Sequence, residues 1–269
     1  AVGDNSMLEV SIIDADGGSI TASRVITAGP IATADPTNHT VNVITRGSLT
    51  SSMINDAVSG SNTLIINGFL SGEWTSGNDI TGDWNVLRSY IRGRSANIDL
   101  TLNNVANVIT HALSNCPNLA SVSLPNVTSV GMSAFYSCTQ LTNVSLPNAM
   151  SLGNQAFREC SQLTIASLPN ATSVGAFAFL KCSQLATVSL PKVTSVGDGA
   201  FQNCTALTTL KLAASSAINP FGSNVFGGVT TGSCDLYIGA AEIAAQSVTT
   251  GDSKPWRGYT WKSISQYSL

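Results

Sequence analysis

The sequence predicts an α/β repeat solenoid: one short strand per 22-residue coil, short helical or irregular segments on the convex side, and a small β segment at the N-terminus. Three observations carry this. One pattern, Leu-x-x-Val-x-Leu-Pro-Asn-Val-x-Ser-Val-Gly-x-x-Ala-Phe-x-x-Cys, recurs between Leu119 and Leu212 with a period of 22 residues. Its columns stay in register: Pro125, Pro147, Pro169 and Pro191; Gly131, Gly153, Gly175 and Gly197; Phe135, Phe157, Phe179 and Phe201; Cys116, Cys138, Cys160, Cys182 and Cys204. Finally, 43% of the residues are hydrophobic and only 10% charged, so the core is ample and the surface is built from Ser, Thr, Asn and Gln.

In chain order, residues 1–47 read as an N-terminal β appendage or linker. Leu8, Val10 and Ile12 alternate, Asp16-Gly17-Gly18 turns the chain, and Ile20 to Ile26 resumes the apolar pattern, which is a hairpin signal. Gly29-Pro30 through Asp35-Pro36 reads as a loop and Thr40 to Thr45 as a strand. Residues 48–97 read as a cap over the first coil, with a short helix from Met53 to Val58, a strand at Thr63 to Ile66 and a helix from Asp83 to Ile91 with Asp83 at its N-terminus. The array occupies 98–213, with strand centres at 100–102, 122–124, 144–146, 166–168, 188–190 and 210–212. Ala166 departs from its column, otherwise Val or Leu, and Ile165 stands beside it to compensate. Phe226 follows Phe201 by 25 residues, so 214–269 is an irregular last coil and closing cap, with a strand at Leu236 to Ile238, a helix at Ala240 to Gln246, and cover from Trp256, Tyr259, Trp261 and Ile264.

Strand alternation points Leu119, Val122 and Leu124 inward and Ser123 outward. Pro125 lacks an N–H and ends the ladder. Val127 and Val130 return the chain over the core, Gly131 permits a tight or left-handed bend, and Ala134 to Cys138 makes a short helical turn with Phe135 as the convex wedge.

The stretch Leu-Pro-x-x-Val-x-x-Val-Gly-x-x-Ala-Phe-x-x-Cys-x-x-Leu-x-x-Val-x-Leu, carried at 124–146, 146–168, 168–190 and 190–212, resembles the leucine-rich repeats of the BspA-like (Treponema-type) family of bacterial surface proteins, as in Bacteroides and relatives. The resemblance extends over about residues 40–269. Where commoner leucine-rich repeats carry an Asn or Cys ladder just after the strand, this chain has Val127, Ala149, Ala171 and Val193. The resemblance implies a right-handed leucine-rich-repeat superhelix and a secreted or surface-anchored binding or adhesion protein, with no shared catalytic residues.

Each chemical candidate competes with a plainer reading. Five cysteines in one column suit disulfides or a metal, yet they equally form a ladder of buried thiols acting as small apolar residues, and no patterned His accompanies them. His39 and His111 are the two histidines. His111 falls on an exposed turn, and no Gly-x-Ser-x-Gly elbow exists. Asp14 and Asp16 before Gly17-Gly18 lack the remaining ligands of a calcium loop. Arg88, Arg92 and Arg94 are the densest positive spot and suit a helix end. Trp256, Tyr259 and Trp261 can stack a sugar or cover the last coil.

Net charge −3 and the absence of a basic cluster leave no footprint for nucleic acid. No apolar run is long enough to span a membrane. No signal peptide is recognisable, and the start Ala-Val-Gly-Asp-Asn suits a mature, processed chain or a trimmed one. The extended concave sheet is the candidate binding face: Ser121, Ser123, Asn143, Ser145, Ser167, Thr187, Ser189, Thr209 and Lys211 point outward from it. It is charge-poor and lacks Trp, Tyr or Arg. The expected function is therefore non-enzymatic, without cofactor or metal: an extracellular or cell-surface protein that binds or adheres to a protein or glycan, host-derived ligands included. The alternative is a structural subunit of an extracellular assembly (surface layer, fibre or phage-like particle), self-associating through residues 1–47.

Overall fold

The computed structural model describes residues 7–13, 19–25, 32–38, 40–43, 49–58, 61–68, 70–76, 79–212 and 217–267. The expected turn around Asp14 to Gly18, the Gly29-Pro30 dipeptide and His39 lie outside these residues. The hairpin strands are present: β1 (Met7–Ile13) pairs antiparallel with β2 (Ser19–Val25), Met7 opposite Val25, in a sheet of their own.

The sheets that build the body begin with β3 (Ala32–Asp35), a strand where a loop was expected, and β4 (Thr40–Val43), which pairs with it antiparallel. Helix α1 (Ser51–Ala57), strand β5 (Thr63–Gly68), the short antiparallel pair β6 (Trp74–Ser76) and β7 (Asp79–Ile80), and helix α2 (Gly82–Gly93) complete the N-terminal cap. The array follows as β8 (Ile98–Leu102), β9 (Asn107–Val108), β10 (Leu119–Ser123), β11 (Ser129–Val130), β12 (Asn143–Ser145), β13 (Ser151–Leu152), β14 (Ile165–Ser167), β15 (Ser173–Val174), β16 (Thr187–Leu190), β17 (Ser195–Val196) and β18 (Thr209–Leu212). A single 3-10 turn at Thr231–Ser233, β19 (Asp235–Ile238), α3 (Ala240–Gln246), β20 (Gly251–Trp256) and β21 (Tyr259–Gln266) close the chain.

Five coils, those that begin with β8, β10, β12, β14 and β16, thus carry two strands, one more than the sequence suggested. The longer ones make the strand face. It consists of two six-stranded sheets, in the orders β12-β10-β8-β5-β4-β3 and β14-β16-β18-β19-β21-β20. The Ser-Val steps before each conserved glycine make a second, five-stranded ladder, β17-β15-β13-β11-β9. Pairing is parallel and 22 residues apart, as Val122 on Val144 and Val130 on Leu152 show. Leu119, Val122, Leu124, Val127 and Val130 are buried.

The turn side is not helical. Two columns take a left-handed backbone, His111, Ser133, Gln155 and Phe177 in one and Asn115, Ser137, Glu159 and Lys181 in the other, with φ between 52° and 64°. Alternate N–H groups close three-residue turns within the coil, as Cys138 N to Phe135 O does, and the others bond the next coil, as Phe135 N bonds Ala156 O. The Gly131 column does not have the left-handed backbone that a bend would require. It is glycine because a Cβ on Gly153 would lie 2.6 Å from the Met132 nitrogen of the preceding coil. That is far inside contact distance.

Inside, the phenylalanines stack nearly parallel, centroids 5.0 Å apart for Phe135–Phe157, 5.4 Å for Phe157–Phe179 and Phe179–Phe201, and 5.7 Å for Phe201–Phe226. The slipped register therefore returns Phe226 to the same column. Trp261, edge-on to Phe226 at 5.0 Å, ends the stack. The six cysteines are free and buried. From Cys138 on, each repeat thiol lies against a carbonyl of the preceding coil: Cys138 Sγ donates to Leu113 O, Cys160 to Phe135 O and Cys204 to Phe179 O, all at 3.1 Å.

Both ends are sealed by polar groups. The Asp83 carboxylate does not cap its own helix; it is buried and accepts the N–H groups of Leu49 and Ser71, tying α1 to α2. Arg92 Nε donates to the carbonyls of Ser114 and Asn115, and Arg88 to that of His111. The Ser114 carbonyl is the first-coil counterpart of that of Tyr136, which in the next coil accepts Asn115 N. Arg92 therefore occupies the place of a missing earlier coil, a more specific role than flanking a helix end, while Arg88 joins Ser114 N on the His111 carbonyl. At the other end Glu242, fully buried, receives Arg257 at 2.8 Å, Trp256 Nε1 at 3.1 Å and Ile218 N at 2.9 Å.

Candidate binding face

The outward residues of the strand face form two rows. Asp99, Ser121 and Asn143 lead the first, and after a break Ile165, Thr187, Thr209, Asp235 and Ser263 continue it. Thr101, Ser123 and Ser145 lead the second, followed by Ser167, Ser189, Lys211, Tyr237 and Ser265. All nine candidate residues named from the sequence lie in these rows. Most are small hydroxyls, and several are engaged along the row: Ser121 Oγ donates to Asp99.

The rows break between β12 and β14, where the two sheets end. Elsewhere the rungs are bracketed by main-chain bonds such as Leu124 N to Ser145 O and Ala186 N to Thr164 O; Leu146 and Thr164 make no such bond across this rung. The flanking side chains show the parting. Asn143, Ser145, Ile165 and Ser167 are exposed and Val144 is half-buried, whereas Thr187, Ser189 and Val188 in the next rung are half-buried or buried. Ile165 is 56% exposed, so it does not fill the core place left by Ala166. A cleft of about 560 Å³ opens here.

The C-terminal end of the face differs from the sequence expectation of a surface without aromatics. Lys211 Nζ sits 5.6 Å from the ring centre of Tyr237 and 5.7 Å from that of Tyr267, both within cation–π range. Beside them Asp235 accepts Lys262 Nζ at 2.8 Å and Ser263 Oγ at 2.6 Å, and these bonds hold its carboxyl below the usual carboxylate range. Tyr237 was legible in principle, since Leu236-Tyr237-Ile238 repeats Leu210-Lys211-Leu212 at a shift of 26 residues. Tyr267 was not, because only the β20–β21 turnback brings it over Lys211.

The other candidates resolve as structure. Trp256 and Trp261 are buried, and Tyr259 packs edge-on to Phe226. His111 is half-buried against α2, not exposed; burial, then the nearby Arg88 charge, lowers its imidazole from the ordinary value. Burial pushes the thiols of Cys116 and Cys204 up to about 12, and it raises those of Cys138, Cys160 and Cys182 well above the ordinary thiol value. They stand as protonated hydrogen-bond donors. Among the described residues, no three His, Cys, Asp or Glu side chains converge to hold a metal. The asparagine of each Pro-Asn step was missed by the sequence reading: Asn148 donates to Pro125 O at 2.7 Å and Asn170 to Pro147 O at 2.8 Å, an amide ladder on the outside of the coil.

The family described as BspA type Leucine rich repeat region matches residues 97–232, in 6 copies. Among solved structures, a leucine rich repeat protein of T. pallidum is similar over 77% of this chain and 78% of its own, at 21% identity and a TM-score of 0.47. A leucine rich cell surface protein of Faecalibacterium prausnitzii A2-165 is similar over 77% of this chain and 52% of its own, at 23% identity and a TM-score of 0.50. No curated protein matches the chain.

Proposed function

Since the chain belongs to the BspA-type leucine-rich-repeat family, we propose that it is a non-enzymatic protein of the cell surface or extracellular space that binds a protein or glycan through its strand face. The observation that carries this is the Lys211–Tyr237–Tyr267 cluster at one end of a long, otherwise small and polar face. Tyrosine supplies an apolar ring with a polar tip, and a lysine held between two such rings offers a directed charge, the combination that concentrates binding energy at interfaces. The surrounding Ser and Thr rows add hydrogen-bonding groups with little charge, which favours a polar, uncharged partner. Support for an extracellular setting comes from the charge-poor surface, and no helix among the described residues is long and apolar enough to cross a membrane.

A glycan and host-matrix-protein screen with the full chain tests the reading. The expected result is a saturable ligand whose affinity falls about ten-fold or more in Tyr237→Ala, the size of a hot-spot truncation. Equal affinity of parent and Tyr237→Ala for every ligand found places binding elsewhere and overturns it.

A further inference from the structure

The parting between β12 and β14 is confined to the strand face. Across the same two coils the turn side stays closed: Gln155 N bonds Ala176 O, Phe157 N bonds Ala178 O and Gly175 N bonds Leu152 O, each at 2.8 Å. The phenylalanine stack is also continuous there, at 5.4 Å. Two strand edges therefore face one another over an intact backing. The local difference lies in the sequence. The strand of one coil reads Leu-Thr-Asn-Val-Ser and that of the next Leu-Thr-Ile-Ala-Ser. The Ala166 side chain is two carbon atoms smaller than that of Val144, and Ile165 is left outward where its row otherwise carries polar groups.

From this we infer that the cleft is a receptor for an extended peptide segment, uncharged and carrying a branched apolar residue. This deepens the binding reading above and rests on it for the strand face, but it uses different residues. Two features select the occupant. The strand edges bordering the cleft are not paired with one another through the main chain, the Thr164 hydroxyl on the Thr142 carbonyl at 3.4 Å being the bond between them, and only another extended main chain offers donors and acceptors at matching intervals. Beside them, exposed Ile165 and half-buried Val144 provide an apolar seat, with Asn143, Ser145, Thr164 and Ser167 around it and no charged group among them. No aromatic ring lines the cleft, which disfavours a stacked sugar here. Full insertion needs two strand spacings, about 9–10 Å. The closed turn side supplies the hinge on which the face widens.

The test uses the full chain and the capped peptide Ac-Thr-Asn-Val-Ser-Leu-Pro-NH2, which copies the strand preceding the cleft, observed by amide NMR. In the parent, the Leu146 and Thr164 amides should exchange about ten-fold or more faster than those of Leu168 and Ala186, which are bonded across their rungs. The peptide should give saturable shifts concentrated at 142–147 and 164–169. The double variant Ile165→Asn/Ala166→Val gives this coil the strand sequence of its neighbour; it should protect both amides and weaken the peptide about ten-fold or more. Ile165→Asn alone, which keeps Ala166, should lower affinity without closing the cleft. Equal protection of the four amides in the parent, no saturable shift, or unchanged peptide affinity in the double variant would each overturn the inference. Tyr237→Ala should leave the peptide unaffected, so failure at the cleft and failure at the tyrosine cluster are read separately.

Discussion

At the scale of the residue, the cysteine column shows how a side chain can satisfy two requirements at once. The thiol is small enough for the core, and its S–H meets a carbonyl of the preceding coil. Phe135 O accepts Cys138 N of its own coil and Cys160 Sγ of the next, using both lone pairs. This raises a pH prediction. The thiols titrate near 9.0 when exposed and at about 12 in folded Cys116 and Cys204, so the unfolded chain loses these protons first as pH rises. Stability is then fully present below pH 9 and is lost as pH climbs toward 12, with a limiting slope of about 1.4 kcal/mol per pH unit for each thiol. Urea midpoints measured at pH 8 and pH 10.5 should fall, and the fall should be smaller in Cys204→Ala than in the parent. Identical pH slopes for the two proteins would contradict it. The column itself was legible in the sequence; the hydrogen bond was not, because its acceptor lies 25 residues earlier and faces the thiol only once coils stack.

At the scale of the element, each coil closes through two kinds of special position, and only one announces itself. The glycine column is plain in the sequence, but its cause is the backbone of another coil. Beyond Asn115, Gly199 and Asn203, whose residue types suit a left-handed backbone, these columns carry His, Ser, Gln, Phe, Glu and Lys, and that mixture announces no shared conformation. The two columns predict opposite effects. Gly153→Ala forces a Cβ against the Met132 nitrogen and should cost about 1–3 kcal/mol as an overpacked site. Gln155→Gly, at φ 58°, removes a Cβ from a strained backbone and should stabilise by up to about 1 kcal/mol, offset in part by the freedom glycine has when unfolded. Chemical denaturation of the two variants beside the parent decides this; a glycine at 155 that destabilises as much as an alanine at 153 would refute it.

At the scale of the whole molecule, the array is only as stable as its ends, because each coil rests on its neighbours. The C-terminal end depends on a buried carboxylate. Removing Glu242 leaves Arg257, 18% exposed, without its charge partner and strips Ile218 N and Trp256 Nε1 of their acceptor. Glu242→Ala should therefore cost about 3–5 kcal/mol, the usual penalty for breaking a buried pair. Thermal melting with tryptophan fluorescence should show Trp256 and Trp261 losing their burial first; a melting curve matching the parent would disprove this role. At the N-terminal side β4 pairs with β5 and β3 with β4, so Ala32–Asp35 and Thr40–Val43 belong to the strand face, and removing residues 1–47 would strip two strands from it.

The amino-acid sequence alone determined the period, the family resemblance, the inward columns and the outward Ser, Thr and Lys rows. All of these follow from side-chain identity repeating at one spacing, and a repeat announces its own register. Only the tertiary structure decided what each column touches. It brought Tyr237 and Tyr267 to Lys211, turned Asp83 and Glu242 into clamps, set Arg92 against the orphan Ser114 carbonyl of the first coil, and parted the strand face at Ala166. Those outcomes depend on contacts between residues 12 to 56 positions apart, or on a difference of two side-chain carbons within a stack, and no local pattern encodes either.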